Sequence, residues 1–332
     1  MSTPHPYISI GLPVFNGENY LEEALQSLLA QTFTDFELII SDNASTDRTP
    51  AICEAYAARD RRIRYYRNPT NVGAGPNFNR TVALARGVYF KWAAHDDLLT
   101  PDYLEKCVAI LDQDPTIVLC HSYTKEISGV GELITIHGAE LPHANSTKRH
   151  ARFADLILIE HPCYDVFGLL RIDVLRKTPL IASYIGSDRV LLAELALHGR
   201  FHQIPETLFI ARSHPQQSVL ALPLHRRKHW FDTTQRDGRA FPHWRYWQEY
   251  YHALRRTPLS APEKYACYRQ LARYPGWAGA ALTKDLITAI NPYYVEAMKQ
   301  KNPRWLCRVR QAERALHTLL HQPYYKQARN QR

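Results

Sequence analysis

Apolar and polar positions alternate along the first 120 residues in two different periods. Residues 7–12 (Tyr-Ile-Ser-Ile-Gly-Leu) form a short apolar strand. Residues 19–31 then carry Leu21, Ala24, Leu25, Leu28 and Leu29 on one helical stripe. Residues 36–41 read as a second strand. A helix capped by Ser45 or Thr46 follows, running to Arg59, and residues 63–67 are a third strand. The spacing predicts a helix over 76–86 closed by Gly87, a strand over 88–94, a helix over 102–113 and a fifth strand over 117–121. This alternation at short spacing predicts an α/β fold, a mostly parallel sheet with helices on both faces. Ligands of such sheets bind beyond the carboxyl ends of the strands. Four polar segments fall there: residues 13–16, 42–44, 68–75 and 95–97.

Periodicity weakens over residues 122–150, which read as a hairpin and a loop. A helix is expected over 153–160, a strand over 164–170, a helix over 188–198 and a strand over 200–212. Beyond Leu222 the pattern is helical, with Trp244, Trp247, Tyr251 and Leu254 on one stripe. Two parts are expected: residues 1–221 as the α/β domain and residues 222–332 as a basic, aromatic-rich helical extension.

Composition separates the two parts further. Of 332 residues, 45% are hydrophobic and 22% charged, ordinary values for a globular chain. Residues 222–332 hold 21 Lys and Arg against 7 Asp and Glu, and five of the six tryptophans, whereas residues 1–221 are mildly acidic. No apolar run approaches the roughly 20 residues of a membrane helix. No leader-like segment precedes the first strand. The six cysteines form no Cys-x-x-Cys pair and most lie in apolar surroundings, as reduced thiols of a cytoplasmic protein do.

The chemistry concentrates where the fourth strand runs into Asp96 and Asp97, with Thr100-Pro101-Asp102 opening the next helix. Two adjacent carboxylates at the end of a buried strand are costly without a positive partner. A divalent metal that also carries a diphosphate supplies one, because hard cations prefer carboxylate and phosphate oxygens. The alternative is a solvated Asp pair capping the helix that starts near Pro101.

The segments Pro13-Val14-Phe15-Asn16, Ser41-Asp42-Asn43-Ala44-Ser45-Thr46-Asp47, Asn71-Val72-Gly73 and Asp96-Asp97, in that order, resemble a family 2 glycosyltransferase of the GT-A fold. The resemblance covers residues 7–215. It implies a metal-dependent, inverting transfer of a sugar from a nucleoside diphosphate donor to a hydroxyl of a glycan or lipid-linked acceptor. By the same resemblance Asp97 ligates Mg or Mn, Asp96 lies near the ribose and Asp42 hydrogen-bonds the base. Pro13, Phe15, Asn16, Asn71 and Gly73 belong with the nucleotide sugar. His95 departs from the commoner pattern, which has another Asp or a small residue there. For Asp42 the alternative is an Asx turn or a helix cap; for residues 13–16 it is a plain strand-to-helix loop.

Asp188, after Gly186-Ser187, stands where the family has an acidic general base, usually written Glu-Asp; Ser187 replaces the first acid. Such a base takes the acceptor's proton while the hydroxyl attacks opposite the diphosphate. The alternative is a helix N-cap. Arg212 or His214 can contact the diphosphate, or His214 the metal, against a structural histidine. Gly168 and Arg171 resemble an acceptor-side segment, against a close packing point and a surface arginine. A nucleotidyltransferase is an alternative, but Asn16-Gly17-Glu18-Asn19 lacks the basic Gly-rich loop of that class. A nucleic-acid-binding protein is a further alternative, without any finger, RRM-like or helix-turn-helix signature; no nucleic-acid partner is expected. The partners the sequence allows, besides donor and acceptor, are an anionic membrane surface on the inner face and a second copy as a homodimer.

Overall fold

The computed structural model describes residues 5–217, 229–234 and 241–290. The N-terminal half runs β1 (Ile8–Val14), α1 (Leu21–Leu29), β2 (Phe36–Asp42), α2 (Thr49–Arg59), β3 (Ile63–Arg67), α3 (Ala74–Leu84), β4 (Tyr89–Trp92), the two-residue β5 (Leu98–Leu99) and α4 (Tyr103–Gln113). There follow β6 (Ile117–Ser128), β7 (Leu133–His137), α5 (Arg149–Leu158), a 3₁₀ turn (Tyr164–Phe167), β8 (Leu169–Arg171), α6 (Ile172–Leu175), α7 (Ser187–His198) and β9 (Arg200–Ser213). The described helices beyond are α8 (Pro242–Arg256), α9 (Ala261–Leu271), α10 (Tyr274–Trp277) and α11 (Gly279–Ile290).

Nine strands form one sheet in the order β3-β2-β1-β4-β8-β6-β9-β5, with β7 beside β6. β3, β2, β1 and β4 are parallel, and β6 is parallel to β9. β8 runs antiparallel between β4 and β6, and β5 antiparallel to β9. The period-2 pattern of the central strands feeds two cores. Leu38, Ile40 and Tyr89 enter one with α1 and α4, while Ile39, Phe90 and Trp92 enter the other with α5 and α7. Helices from the basic extension share this second core, through Tyr246, Tyr250, Leu254, Cys267 and Tyr274.

The observed elements depart from the expectations in four places. Residues 164–170 are not one strand: Cys163 takes a left-handed φ of 62°, a 3₁₀ turn follows, and only Leu169–Arg171 pair as β8. α2 begins at Thr49, because Ser45, Asp47 and Thr49 spend their side chains on loop amides. The fifth predicted strand continues to Ser128, forming the hairpin with β7. On α8 the buried stripe is Tyr246, Tyr250, Ala253 and Leu254, whereas Trp244, Trp247 and Tyr251 are exposed. Large amphipathic rings occupy both faces of that helix, so their spacing alone does not mark the core. Residues 218–228, 235–240 and 291–332, with Trp305, Cys307 and the arginines around them, lie outside the described residues.

Candidate active site

Parallel strands deliver the polar loops to one rim. At the end of β1 Pro13 is buried in strand pairing with Ser41, Phe15 is 42% exposed, and Asn16 turns the chain at a φ of 51°. This loop is laced to the one after β2. Asn16 N–H donates to Ser45 Oγ and Thr46 N–H to Asn16 Oδ1, both at 2.9 Å, while Gly17 N–H donates to Thr49 Oγ1.

Asp42 closes β2 and is fully buried. Its Oδ1 accepts from Ser45 N–H at 2.8 Å, and its Oδ2 from Tyr65 Oη at 2.9 Å and from Arg67 Nε at 3.2 Å. Asp42 thus holds its own loop by a bond to the amide three residues on, a cap-type turn and not an Asx turn, and its carboxylate is paired with Arg67. Asn43, next along, reaches Asn71: its Nδ2 donates to Asn71 Oδ1 at 2.9 Å and to the Gly73 carbonyl at 3.2 Å. Gly73 has a φ of 91°, and a Cβ there would lie 2.6 Å from the Phe231 carbonyl, so only glycine fits. Asn68, from the 68–75 segment, and Asn77, which the sequence did not single out, complete a buried amide network with Asn43 and Ser41. The signal for Asn77 in the sequence is polarity on the inward face of α3.

At the end of β4, Asp96 is buried and its Oδ2 lies 3.0 Å from His214 Nε2. Asp97 accepts from Arg212 N–H at 2.9 Å. Burial, and then the neighbouring Asp96, raise the Asp97 carboxyl well above the ordinary carboxylate range. Among the described residues no ion pair neutralises Asp97. The buried Lys91 ammonium sits 4.7 Å over the Tyr103 ring and donates to the Phe167 carbonyl; desolvation lowers it to about 7. His95 packs its ring on Gly17, and burial lowers its pKa. His214 also has a buried Nδ1 without a hydrogen-bond partner among the described residues.

Arg212 does not reach outward. Its guanidinium pairs with Glu23 at 2.6 Å and donates to the carbonyls of Asp96 and Gly129, so it braces the carboxylate loop. Arg171 is likewise no surface arginine: it donates to the carbonyls of Ile117, Leu111 and Asp114, tying β8 to the α4–β6 corner. Gly168 is the close packing point, since a Cβ would fall 2.8 Å from the Cys120 carbonyl.

Asp188 opens α7 and is half-buried, accepting from Arg189 N–H at 2.9 Å. Burial raises its carboxyl above the ordinary range. No hydrogen bond or ion pair among the described residues joins it to Asp96 or Asp97. The 3₁₀ segment packs against both β4 and α7. There the charge of Asp188 adds to burial in raising the Cys163 thiol, and that of Asp97 acts in the same sense on Tyr164. With Asp97 un-neutralised, the rim can receive a cation beside its hydrogen-bonding loops, and a raised carboxyl stands on a separate element.

The sequence model of glycosyl transferase family 2 matches residues 9–178. An uncharacterised glycosyltransferase of Rickettsia typhi is 38% identical over 122 residues, 36% of this chain and 37% of that one. The chain thus spans about a third of that relative's length. Among solved structures, S. aureus TarS 1-349 in complex with UDP-GlcNAc aligns with a TM-score of 0.59 at 18% identity, over 82% of this chain and 72% of that one. A Pyrobaculum calidifontis mannosyltransferase in complex with GDP-Man and Mn²⁺ aligns with a TM-score of 0.53 at 16% identity, over 98% and 89%. At these identities the structural likeness concerns the fold, which is the GT-A arrangement.

Proposed function

We propose a function from the premise that the chain belongs to glycosyl transferase family 2: it moves a sugar from a nucleoside diphosphate donor to an acceptor hydroxyl, with inversion and with a divalent metal. The observation that carries this is the gathering of the residue 13–16, 42–47, 71–73 and 96–97 loops on one rim of the sheet. TarS and the mannosyltransferase carry UDP-GlcNAc and GDP-Man in their complexes, which supports a nucleotide-sugar donor.

The residues present fit a metal shared with substrate. Among the described residues, no three His, Cys, Asp or Glu side chains converge as a protein cage. Magnesium-type cations are held by one or two carboxylates plus substrate phosphates, without such a cage. Asp97 is the un-neutralised carboxylate of the pair, and Asp96 with His214 stands beside it. Asp97 and His214 would hold the cation, with Asp96 toward the ribose, and the cation when bound would offset charge on the leaving diphosphate.

The remaining roles fall to the chain's own groups. Asp42 orients the base-side loop through Ser45, Tyr65 and Arg67, and takes part in base recognition. Phe15 offers an exposed ring beside Asn16 for the nucleoside, and Asn71 and Gly73 line the far side of the same loop pair. Asp188 accepts the proton of the acceptor hydroxyl. Its raised pKa makes it a stronger base than an ordinary aspartate once ionised. In-line attack opposite the diphosphate inverts the anomeric centre.

The acceptor is a glycan or a lipid-linked saccharide. The exposed Trp244, Trp247 and Tyr251, with Arg255 stacked 6.0 Å over Tyr251, form a mixed aromatic and basic face suited to an anionic bilayer on the cytoplasmic side. No helix among the described residues is long and apolar enough to cross a membrane. A hydrolysis screen of UDP-, GDP- and dTDP-sugars with Mn²⁺ or Mg²⁺ tests the reading. Release of nucleoside diphosphate from one donor class, abolished by chelator, is the expected result; no metal-dependent release from any class would oppose it.

A further inference from the structure

A cavity opens between α7 and α8, with a volume of about 870 Å³. That lies within the range of roughly 300–1,000 Å³ typical of small-molecule sites. One wall is the 179–187 loop and the face of α7 carrying Ser187, Val190, Leu191 and Glu194. The other is α8, with Trp244, Arg245, Trp247, Glu249 and Arg256.

Three features define what it takes. First, Trp244 and Trp247 are each 40% exposed at its edge, large rings that line a hollow instead of filling the core. Second, its charges are paired within the walls. Arg245 Nη2 lies 2.8 Å from Glu249 Oε1, and the Arg256 guanidinium forks onto both oxygens of the buried Glu194. The cavity is therefore mainly apolar with paired, nearly neutral polar groups, a poor receptor for a diphosphate. Third, Ser187 Oγ, on a residue 1% exposed, has no hydrogen-bond partner among the described residues and belongs to the lining. A buried unpartnered hydroxyl is costly unless a ligand meets it.

Aromatic faces beside planar Arg and Glu groups suit a pyranose, whose C–H face stacks on a ring and whose vicinal hydroxyls pair with forked polar groups. The position agrees. Ser187 and Asp188 are consecutive in the first turn of α7, so Asp188 stands one step around the helix from the cavity wall. We infer that the α7–α8 cavity is a subsite for a neutral saccharide of the acceptor, holding the chain whose terminal hydroxyl is presented toward Asp188. This rests on the glycosyl-transfer reading above and adds the acceptor's class and seat.

The test is retention of the full chain on an array of immobilised neutral oligosaccharides, beside calorimetry of nucleotide-sugar binding by the same preparation. Wild type is expected to retain a subset of the glycans. Trp247→Ala is expected to weaken retention by about tenfold or more, the order seen when an aromatic anchor is truncated. Trp247→Tyr, which keeps a ring, is expected to stay within a few-fold of wild type. Circular dichroism and the thermal midpoint report whether each variant is folded, and the exposed position of Trp247 favours that. Normal nucleotide-sugar binding with no glycan retained, or retention equal in Trp247→Ala and wild type, overturns the cavity assignment alone. Absence of nucleotide-sugar binding by wild type defeats the underlying reading instead.

Discussion

The backbone N–H of Arg212 donates to the carboxylate of Asp97 at 2.9 Å, across 115 residues of chain. This bond fixes the end of β9 to the loop between β4 and β5. It brings His214 to Asp96 and places the Arg212 guanidinium behind the carboxylate pair, on Glu23 and on the carbonyls of Asp96 and Gly129. The bond uses Asp97 Oδ1 and, among the described residues, leaves Oδ2 for the proposed cation.

Asp188→Asn is expected to keep nucleotide-sugar affinity and to lose turnover by about a hundredfold or more, the usual size of a general-base effect. The raised pKa sets the pH dependence. Turnover falls as pH drops through the folded-state value of Asp188, which lies above that of an exposed aspartate, so the acid limb of the rate profile is displaced upward. For stability the sign is opposite: a raised carboxyl favours the fold while protonated, and that contribution is lost as pH rises through the folded value. Removal of the acid limb in Asp188→Asn confirms the assignment; an unchanged limb contradicts it.

Asp42→Ala removes acceptors for Ser45 N–H, Tyr65 Oη and Arg67. Hydrogen bonds to a charged group contribute roughly 1.5–3 kcal/mol. Donor affinity by calorimetry should fall about ten- to a hundredfold, with a lower thermal midpoint because the buried loop loses its anchor. Unchanged affinity in a destabilised protein would leave Asp42 as a turn residue only.

Gly186→Ala tests the turn that aims Asp188. Gly186 has a φ of 73°, and a Cβ would sit 2.1 Å from Tyr246 Oη and 2.6 Å from Cζ. The substitution is expected to cost about 1–3 kcal/mol, the scale of a left-handed non-glycine residue held in place. Turnover should suffer more than donor binding. Adding Tyr246→Phe recovers little, since Cζ remains in the way. Wild-type stability in Gly186→Ala would show that the turn relaxes freely.

Vesicle co-sedimentation decides the bilayer proposal. The protein is expected to pellet with anionic vesicles at low salt and to be released as ionic strength screens the basic face. Recovery in the supernatant at low salt would leave Trp244, Trp247 and Tyr251 without a lipid role.

Most of the sheet and its rim were legible in the sequence, because period-2 and period-3.6 patterns report burial directly and Asp96-Asp97 ends a strand. What escaped depended on partners far along the chain. Arg212 and Arg171 present the same side chain to a reader whether they reach a ligand or a backbone carbonyl. Asn68 and Asn77 read as ordinary loop and helix polarity until β2 meets α3. On α8, Tyr246 and Trp247 are adjacent aromatics, and only the packing against α7 shows which one is buried.

The central claim is that Asp97 and a divalent cation together hold the nucleotide sugar. Calorimetric titration of UDP-, GDP- and dTDP-sugars, with and without Mn²⁺, into wild type and Asp97→Asn tests it most directly. One donor class should bind wild type only with the cation. Asp97→Asn should lose that binding while remaining folded, and turnover should fall on the order of a thousandfold or more with the lost leaving-group stabilisation. Equal donor affinity with and without the cation, or an Asp97→Asn titration that overlays wild type, would contradict the account.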